Sequence, residues 1–148
     1  MALGAERYPI AMKSNSSQMV LVDSDAFIAW LVADDLLHKE AVDVLRTLQE
    51  TKQVTVTTSL VVAETATVLS NRVGQDQARA FLDFVEKLPI IHVTEDLQAE
   101  ALKLFRRQAK KGTSVVDCCN VAVVNSFHIA AIFSFDGFYR RHGLTIAG

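Results

Sequence analysis

Apolar runs and amphipathic stretches alternate along the chain from residue 19 onward. Met19-Val20-Leu21-Val22 is an apolar run closed by Asp23, the pattern of a strand buried on both faces. Residues 26–33 read as a helix and 36–49 as a second, in which Leu37, Ala41, Val44, Leu45 and Leu48 recur at helical spacing. Gln53-Val54-Thr55-Val56-Thr57 alternates and is β-branched, which predicts a strand. A helix over 59–73 stops at Gly74, and another over 75–88 stops at Pro89. A strand follows over 90–93. The helix expected over 95–111 carries acids first and bases last, matching the helix dipole, and Gly112 ends it. A helix over 114–127, a strand over 129–133 and a short last strand over 144–146 complete the series. Such alternation predicts an α/β fold, a parallel sheet covered by helices on both faces. Ligands in such folds bind beyond the carboxyl ends of the strands. The polar residues that follow strands are therefore the first candidates for function.

Composition narrows the picture. With 148 residues, half of them hydrophobic and 22% charged, the chain is long enough for one cored domain and too apolar for a disordered one. The longest apolar run, 26–33, is far shorter than the roughly 20 residues of a membrane helix. Residues 1–18 stand apart, with Gly4, Pro9 and a polar Ser14-Asn15-Ser16-Ser17-Gln18 stretch, and read as a flexible N-terminal tail ahead of a single domain over 19–148. They lack the apolar core of a secretory signal. Cys118 and Cys119 are sequence neighbours and the chain has no other Cys, so a disulfide framework is excluded and a cytoplasmic, reducing location fits. A net charge of -2 argues against nucleic-acid binding by bulk charge, but not against a local basic patch.

Four carboxylates fall where the strand-end rule looks. Asp23 ends the first strand, where it also suits a helix N-cap. Glu64 is the only charge in Ser59-Leu-Val-Val-Ala-Glu-Thr-Ala-Thr-Val-Leu-Ser70. A buried, ionised Glu is costly unless paired or on a metal, whereas a narrow polar strip with Thr67 and Asn71 would make it ordinary. Asp117 is the only charge in another apolar helix, where Ser114-x-x-Asp117 also fits a capping box. Asn120 lies one turn further on the same face. Asp136 follows the strand over 129–133, and Asp136-Gly137 is also a common turn pair. Asp25 and Ser134 lie two residues from Asp23 and Asp136. Four carboxylates gathered at one sheet edge repel and need cations. An all-oxygen set suits Mg²⁺ or Mn²⁺ rather than zinc, and ions of this kind polarise phosphate oxygens and activate water. His38, His92, His128 and His142 are scattered and form no metal motif. Gly-rich phosphate loops and a GxSxG nucleophile turn are missing from the sequence.

From about Met19 to Gly148 the chain resembles the PIN-domain ribonucleases, especially the VapC-type toxins of toxin–antitoxin pairs. The residues that carry the resemblance are Val20-Leu-Val-Asp23-Ser-Asp-Ala-Phe-Ile, Ser59-Leu-Val-Val-Ala-Glu64-Thr-Ala-Thr-Val-Leu, Thr113-Ser-Val-Val-Asp117-Cys and Phe133-Ser-Phe-Asp136-Gly-Phe-Tyr. The resemblance implies a five-stranded parallel sheet and Mg²⁺- or Mn²⁺-dependent endonucleolytic cleavage of RNA. Asp23, Glu64, Asp117 and Asp136 match the family's acidic positions, with Asp23 and Asp117 as principal metal carriers. Ser134 matches a small hydroxyl the family often has before its last acid. Asp25 departs from the small polar residue common at that place. The resemblance also implies a homodimer held inactive by a cognate antitoxin. RNA-processing nucleases outside toxin–antitoxin pairs share the motifs.

Two groups of bases are candidates for RNA contact. Arg106, Arg107, Lys110 and Lys111 fall late on one expected helix, where they also suit a solvated face, and Arg140 and Arg141 follow Asp136. Phe138 and Tyr139 can stack on bases but also suit a core. Two rival classes are weaker. Asp23-Ser24-Asp25 is similar to the haloacid-dehalogenase-type phosphatases, but their later paired acids are missing. A receiver-like or other non-catalytic interaction module lacks support, because a receiver wants a Lys after its last strand.

Overall fold

The computed structural model describes residues 16–148; the expected tail lies, up to Asn15, outside the described residues. Strands β1 (Met19–Val22), β2 (Val54–Thr58), β3 (Ile90–Ile91) and β4 (Ala131–Phe133) form one sheet in the order β3-β2-β1-β4. Every pairing is parallel, with Met19 opposite Val54, Val22 opposite Phe133 and Thr57 opposite Ile90. Helices α1 (Ser24–Leu31), α2 (His38–Glu50), α3 (Ser59–Arg72), α4 (Gln75–Val85), α5 (Glu95–Arg106), α6 (Val115–Phe127) and α7 (Gly137–Arg141) connect and cover it. No helix among the described residues is long and apolar enough to cross a membrane.

The pleat of β1 divides the core. Met19 and Leu21 point to one face, where Ile132, Ala101 of α5 and Cys118, Cys119 and Val123 of α6 pack. Val20 and Val22 point to the other, against Ala26, Phe27, Ala41, Val61, Leu69, Phe81 and Val85 from α1 to α4. That two-sided burial explains why β1 is continuously apolar rather than alternating. Both cysteines are buried free thiols, filling core space.

The sheet has four strands, not the five expected from the resemblance. The segment read as a fifth makes one parallel bridge, Ile146 to Ile132. Its hydrogen bonds are Ile132 N–H to Thr145 O and Ala147 N–H to Ile132 O, each 2.9 Å. The reason lies just before it. The turn closing α7 extends to Leu144, whose N–H donates to Tyr139 O at 3.1 Å, so a single register position remains opposite Ile132. The sequence pattern had also not foreseen α7 itself. A second difference concerns α5, expected to run to residue 111. It ends at Arg106, in a tightened turn where Arg107 and Gln108 N–H reach back three residues and the Gln108 side chain takes the Leu104 carbonyl at 3.1 Å. Residues 107–114 are consequently a loop.

Candidate active site

Asp23 stands one residue beyond β1, at the carboxyl edge of the sheet, and is only 3% exposed. It caps α1, with Oδ1 accepting the Ser24 N–H at 2.8 Å. The cap reading and the site reading are thus both realised in one side chain. Asn120 Nδ2 donates to the same Oδ1 at 3.1 Å, across 97 residues of sequence. Ser134 Oγ and Tyr139 Oη lie 3.0 and 2.9 Å from Asp23 Oδ2. Neutral donors from α1, α6, the end of β4 and α7 therefore converge on one buried carboxylate. Asn120 is itself fully buried, and its Oδ1 has no hydrogen-bond partner among the described residues. An orphaned buried acceptor costs about 1–3 kcal/mol, a cost accepted here to keep both amide hydrogens on Asp23 and Tyr139.

Glu64 and Asp25 extend this floor. Ser24 Oγ donates to Glu64 Oε2 at 2.7 Å, linking α3 to the cap of α1. Asp25 turns toward β4. It lies 3.1 Å from Ser134 Oγ through both its oxygens and accepts the Phe135 N–H at 3.0 Å. The extra acid thus ties α1 to the loop that carries Asp136.

Asp117 and Asp136 form a more open rim. Ser114 caps α6 alone, through its hydroxyl to Val116 N–H, while the Asp117 carboxylate turns to Tyr139 Oη at 3.0 Å. Asp136 caps α7 through Phe138 N–H at 2.9 Å. Asp117 and Asp136 wall a common cavity of about 130 Å³, and Arg141 lines it too. Arg140 is exposed and is not among its lining residues. The histidines play other parts: His38 bonds to the Ala29 carbonyl, and His142 bonds to that of Phe138 while stacking on its ring.

Sequence reasoning weighs Tyr139 only as a base-stacking or core aromatic and misses its role between the acids; its ring is fully buried, which leaves no face for a base. Its aromatic body is buried in the core, as an apolar reading predicts, but its hydroxyl stands between Asp23 and Asp117. One phenol proton serves two carboxylates, and burial followed by the two negative neighbours pushes its pKa up. No spacing rule points to such a group, because α7 was not foreseen. The signal available was an aromatic with a polar tip three residues after a strand-end acid.

Charge is poorly compensated here. Burial is the largest cause of a raised Asp23 pKa, with Glu64 adding repulsion. Burial, then Asp23, pushes Asp25 to about 7. Burial, then Asp23, with smaller effects of Asp136 and Glu64, pushes Asp117 to about 6. No Lys or Arg pairs with any of these acids among the described residues.

The donor chemistry fits a hard divalent cation: carboxylates are gathered with no ion pair to a Lys or Arg among the described residues, and the hydroxyls of Ser134 and Tyr139 bring two protons to Asp23, Asp25 and Asp117. The cluster is open rather than closed. Among the described residues, no group of three or more His, Cys, Asp or Glu stands close enough to hold an ion as it is.

Comparison with known proteins decides the family, since the PIN domain matches residues 20–143. The chain belongs to the PIN-domain family. PIN-domain proteins of the VapC type are metal-dependent ribonucleases that act as toxins of toxin–antitoxin pairs, and the sequence and fold of this PIN chain are of that kind. It is 29% identical over 129 residues to the 23S rRNA-specific endonuclease VapC20 of Mycobacterium tuberculosis, covering 86% of this chain and 96% of that protein. The crystal structure of VapC20, described as a sarcin–ricin-loop-cleaving toxin, superposes with a TM-score of 0.76 at 28% identity, over 85% of this chain and 96% of that one. VapBC2 of Rickettsia felis, bound to a promoter DNA fragment, shares the fold with a TM-score of 0.62 at 14% identity, over 86% and 96% of the two chains.

Proposed function

We propose that this PIN domain is the toxin of a toxin–antitoxin pair, an endoribonuclease working in the cytoplasm with Mg²⁺ or Mn²⁺ held by Asp23, Glu64, Asp117 and Asp136. One observation carries the reading: two hydroxyl protons are shared among three carboxylates that form no ion pair with a Lys or Arg among the described residues. Such an arrangement is unfavourable alone and favourable around a cation. When bound, the ion polarises a phosphate oxygen and lowers the pKa of water. The chain's own residues do the rest. Four donors fix Asp23 so that it cannot swing. Ser24 aims Glu64, and Asp25 with Ser134 anchors the loop before Asp136. Tyr139 holds a proton between Asp23 and Asp117, which lets those two acids approach.

RNA as the substrate is supported by the family and by VapC20, whose target makes the sarcin–ricin loop of 23S rRNA the first RNA to try. An antitoxin partner is supported by the fold shared with a Klebsiella pneumoniae toxin–antitoxin complex, with a TM-score of 0.55 at 13% identity over 80% of this chain and 87% of that one. A homodimer is part of the same proposal.

The test uses purified protein, a sarcin–ricin-loop RNA and Mg²⁺ or Mn²⁺. Cleavage is expected, and a chelator should abolish it. Asp117→Asn should keep the wild-type circular dichroism and lose about three orders of magnitude or more in rate. Were Asp117 only a helix-start residue, Asn would cost at most about 1 kcal/mol and leave activity intact. A folded Asp117→Asn that cuts at the wild-type rate overturns the mechanism, and a wild type indifferent to chelator overturns the metal.

A further inference from the structure

The cavity at the rim is walled by Lys110, Lys111, Thr113, Asp117, Asp136 and Arg141. Its volume of about 130 Å³ is roughly four water molecules' share of liquid, room enough for a phosphate group. Three cations and two carboxylates share its lining. None of the three forms an ion pair among the described residues, whereas Arg72 and Arg79 do, at 2.9 Å from Asp35 and 2.8 Å from Asp76. With three cations against two carboxylates, the lining keeps an excess of positive charge, which favours an added anion.

Local structure delivers these cations to the site. Had α5 continued to residue 111, Lys110 and Lys111 would have stayed on its axis. The helix instead ends at Arg106, and the loop carries both lysines to the cavity wall. Thr113 Oγ1 closes the turn on the Lys110 carbonyl at 3.0 Å, and Gly112 takes φ +87°, a conformation that suits glycine. On the opposite wall, Gly137 makes room for Arg141. A Cβ at position 137 would lie 3.1 Å from Arg141 Nη1.

We propose that this cavity is a phosphate subsite. It holds one backbone phosphate of a single-stranded RNA beside the phosphate that is cut, with Lys110, Lys111 and Arg141 as its cations. The inference rests on the nuclease reading of the acidic cluster and deepens it. Asp117 and Asp136 belong to both sites, whereas Asp23, Asp25 and Glu64 do not line this cavity. The cations are thus confined to one end of the cluster, and the RNA strand leaves the cluster at that end.

The experiment is fluorescence anisotropy with a short fluorescein-labelled single-stranded RNA in chelator, so that binding is read without cleavage. Lys110→Ala/Lys111→Ala/Arg141→Ala should weaken binding about tenfold and lower the salt slope by roughly 0.7, the value for one phosphate on a single strand. Lys110→Gln/Lys111→Gln, confined to an exposed loop, should move both readouts the same way by less, and it decides the matter if the triple variant does not fold. Arg79→Ala should leave both unchanged. A folded variant with wild-type affinity and slope overturns the subsite, as does a wild type that does not bind the RNA. Equal weakening toward a poly-glutamate peptide overturns its phosphate character. RNA bound with the expected slopes but not cut in Mg²⁺ or Mn²⁺ removes the nuclease reading and leaves a phosphate-binding site. RNA cut by the triple variant with unchanged KM removes the subsite and leaves the nuclease.

Discussion

Asp23 and Asp136 are the same residue type, and each caps the helix that follows a strand, yet their surroundings are opposite. Around Asp23 the floor of the cluster is sealed. Ser24, Asn120, Ser134 and Tyr139 donate to it from four parts of the chain, and none of them carries a charge. Around Asp136 the rim is open, and the groups that share its cavity include Lys110, Lys111 and Arg141. The floor fixes the position of charge and the rim balances it. Neutral donors can hold a buried carboxylate without neutralising it, leaving its charge for a cation. Exposed cations can meet a mobile polyanion and let it go, because water screens them.

The contrast breaks most visibly in activity. Asp23→Asn should abolish RNA cleavage, with a loss of about three orders of magnitude, while the protein stays folded. Ser134 and Tyr139 can still donate to Asp25 and Asp117, so the new amide hydrogens find acceptors in those hydroxyls. Asp136→Asn should keep its cap, since Asn caps as well as Asp, and lose about tenfold to a hundredfold. Steady-state kcat/KM for the two variants on one RNA checks this. Equal losses would dissolve the distinction between floor and rim.

Tyr139→Phe probes the join between them, with the next largest effect. It removes the hydroxyl that touches both Asp23 and Asp117 and leaves one Asn120 hydrogen without its partner. Stability should fall by about 1–3 kcal/mol. The half-saturating Mn²⁺ concentration should rise, because the two acids lose the proton that lets them approach. Chemical denaturation and metal titration of the rate read the two parts separately. A Tyr139→Phe protein with wild-type stability and metal response would show that the phenol merely packs.

These pairs explain what could be read from the sequence. Glu64 is legible as the lone charge between Ser59 and Ser70, and Asp117 as the lone charge between Ser114 and Phe127, and burying a charge needs a reason. Asp23 and Asp136 were legible as acids after strands. Tyr139 was not, because its ring obeys the apolar pattern and only its oxygen reaches the site. Lys110 and Lys111 were assigned to a helix, because charge order along residues 95–111 matches a helix dipole whether or not the last turn forms. The competition that ended α5 is between Gln108 and its own backbone, a local contest that periodicity does not record. The parallel sheet followed from the strand–helix alternation, but the fifth strand did not form, since a short helix after Asp136 occupies the residues before it.

A pH series reads the charge held by the floor and its neighbours. Asp25 at about 7 and Asp117 at about 6 lie above the ordinary Asp value near 3.9 that they regain on unfolding. Between pH 4 and 7 the folded state therefore binds more protons than the unfolded one, and stability falls as pH rises. The repulsion is absent below the unfolded value and complete above pH 7. Metal-free protein should accordingly melt several degrees higher at pH 5.5 than at pH 8. Saturating Mn²⁺ should raise the melting temperature more at pH 8, where the carboxylates are ionised. A melting temperature that rises with pH in chelator would mean that the acids are already compensated.

The smallest expected effect isolates the rim. Gly137 opens α7 with no left-handed backbone angle, so alanine suits its conformation and should stabilise the fold by about 0.4–1 kcal/mol. The added methyl would stand 3.1 Å from Arg141 Nη1, closer than ordinary contact, so the guanidinium must move by a few tenths of an ångström. Being the end of a flexible side chain, it moves cheaply, and the cost appears in where its charge sits rather than in stability. RNA affinity should drop by less than about threefold, the scale of one exposed ion pair. The buried floor, which Gly137 does not touch, should keep its metal response. Gly137→Ala should therefore raise the melting temperature and weaken RNA binding together, with the half-saturating Mn²⁺ concentration unchanged. Differential scanning fluorimetry and anisotropy on the same preparation read both signs. If affinity holds or rises with the melting temperature, the place of Arg141 beside Asp136 has no bearing on the RNA, and the rim is a surface like any other.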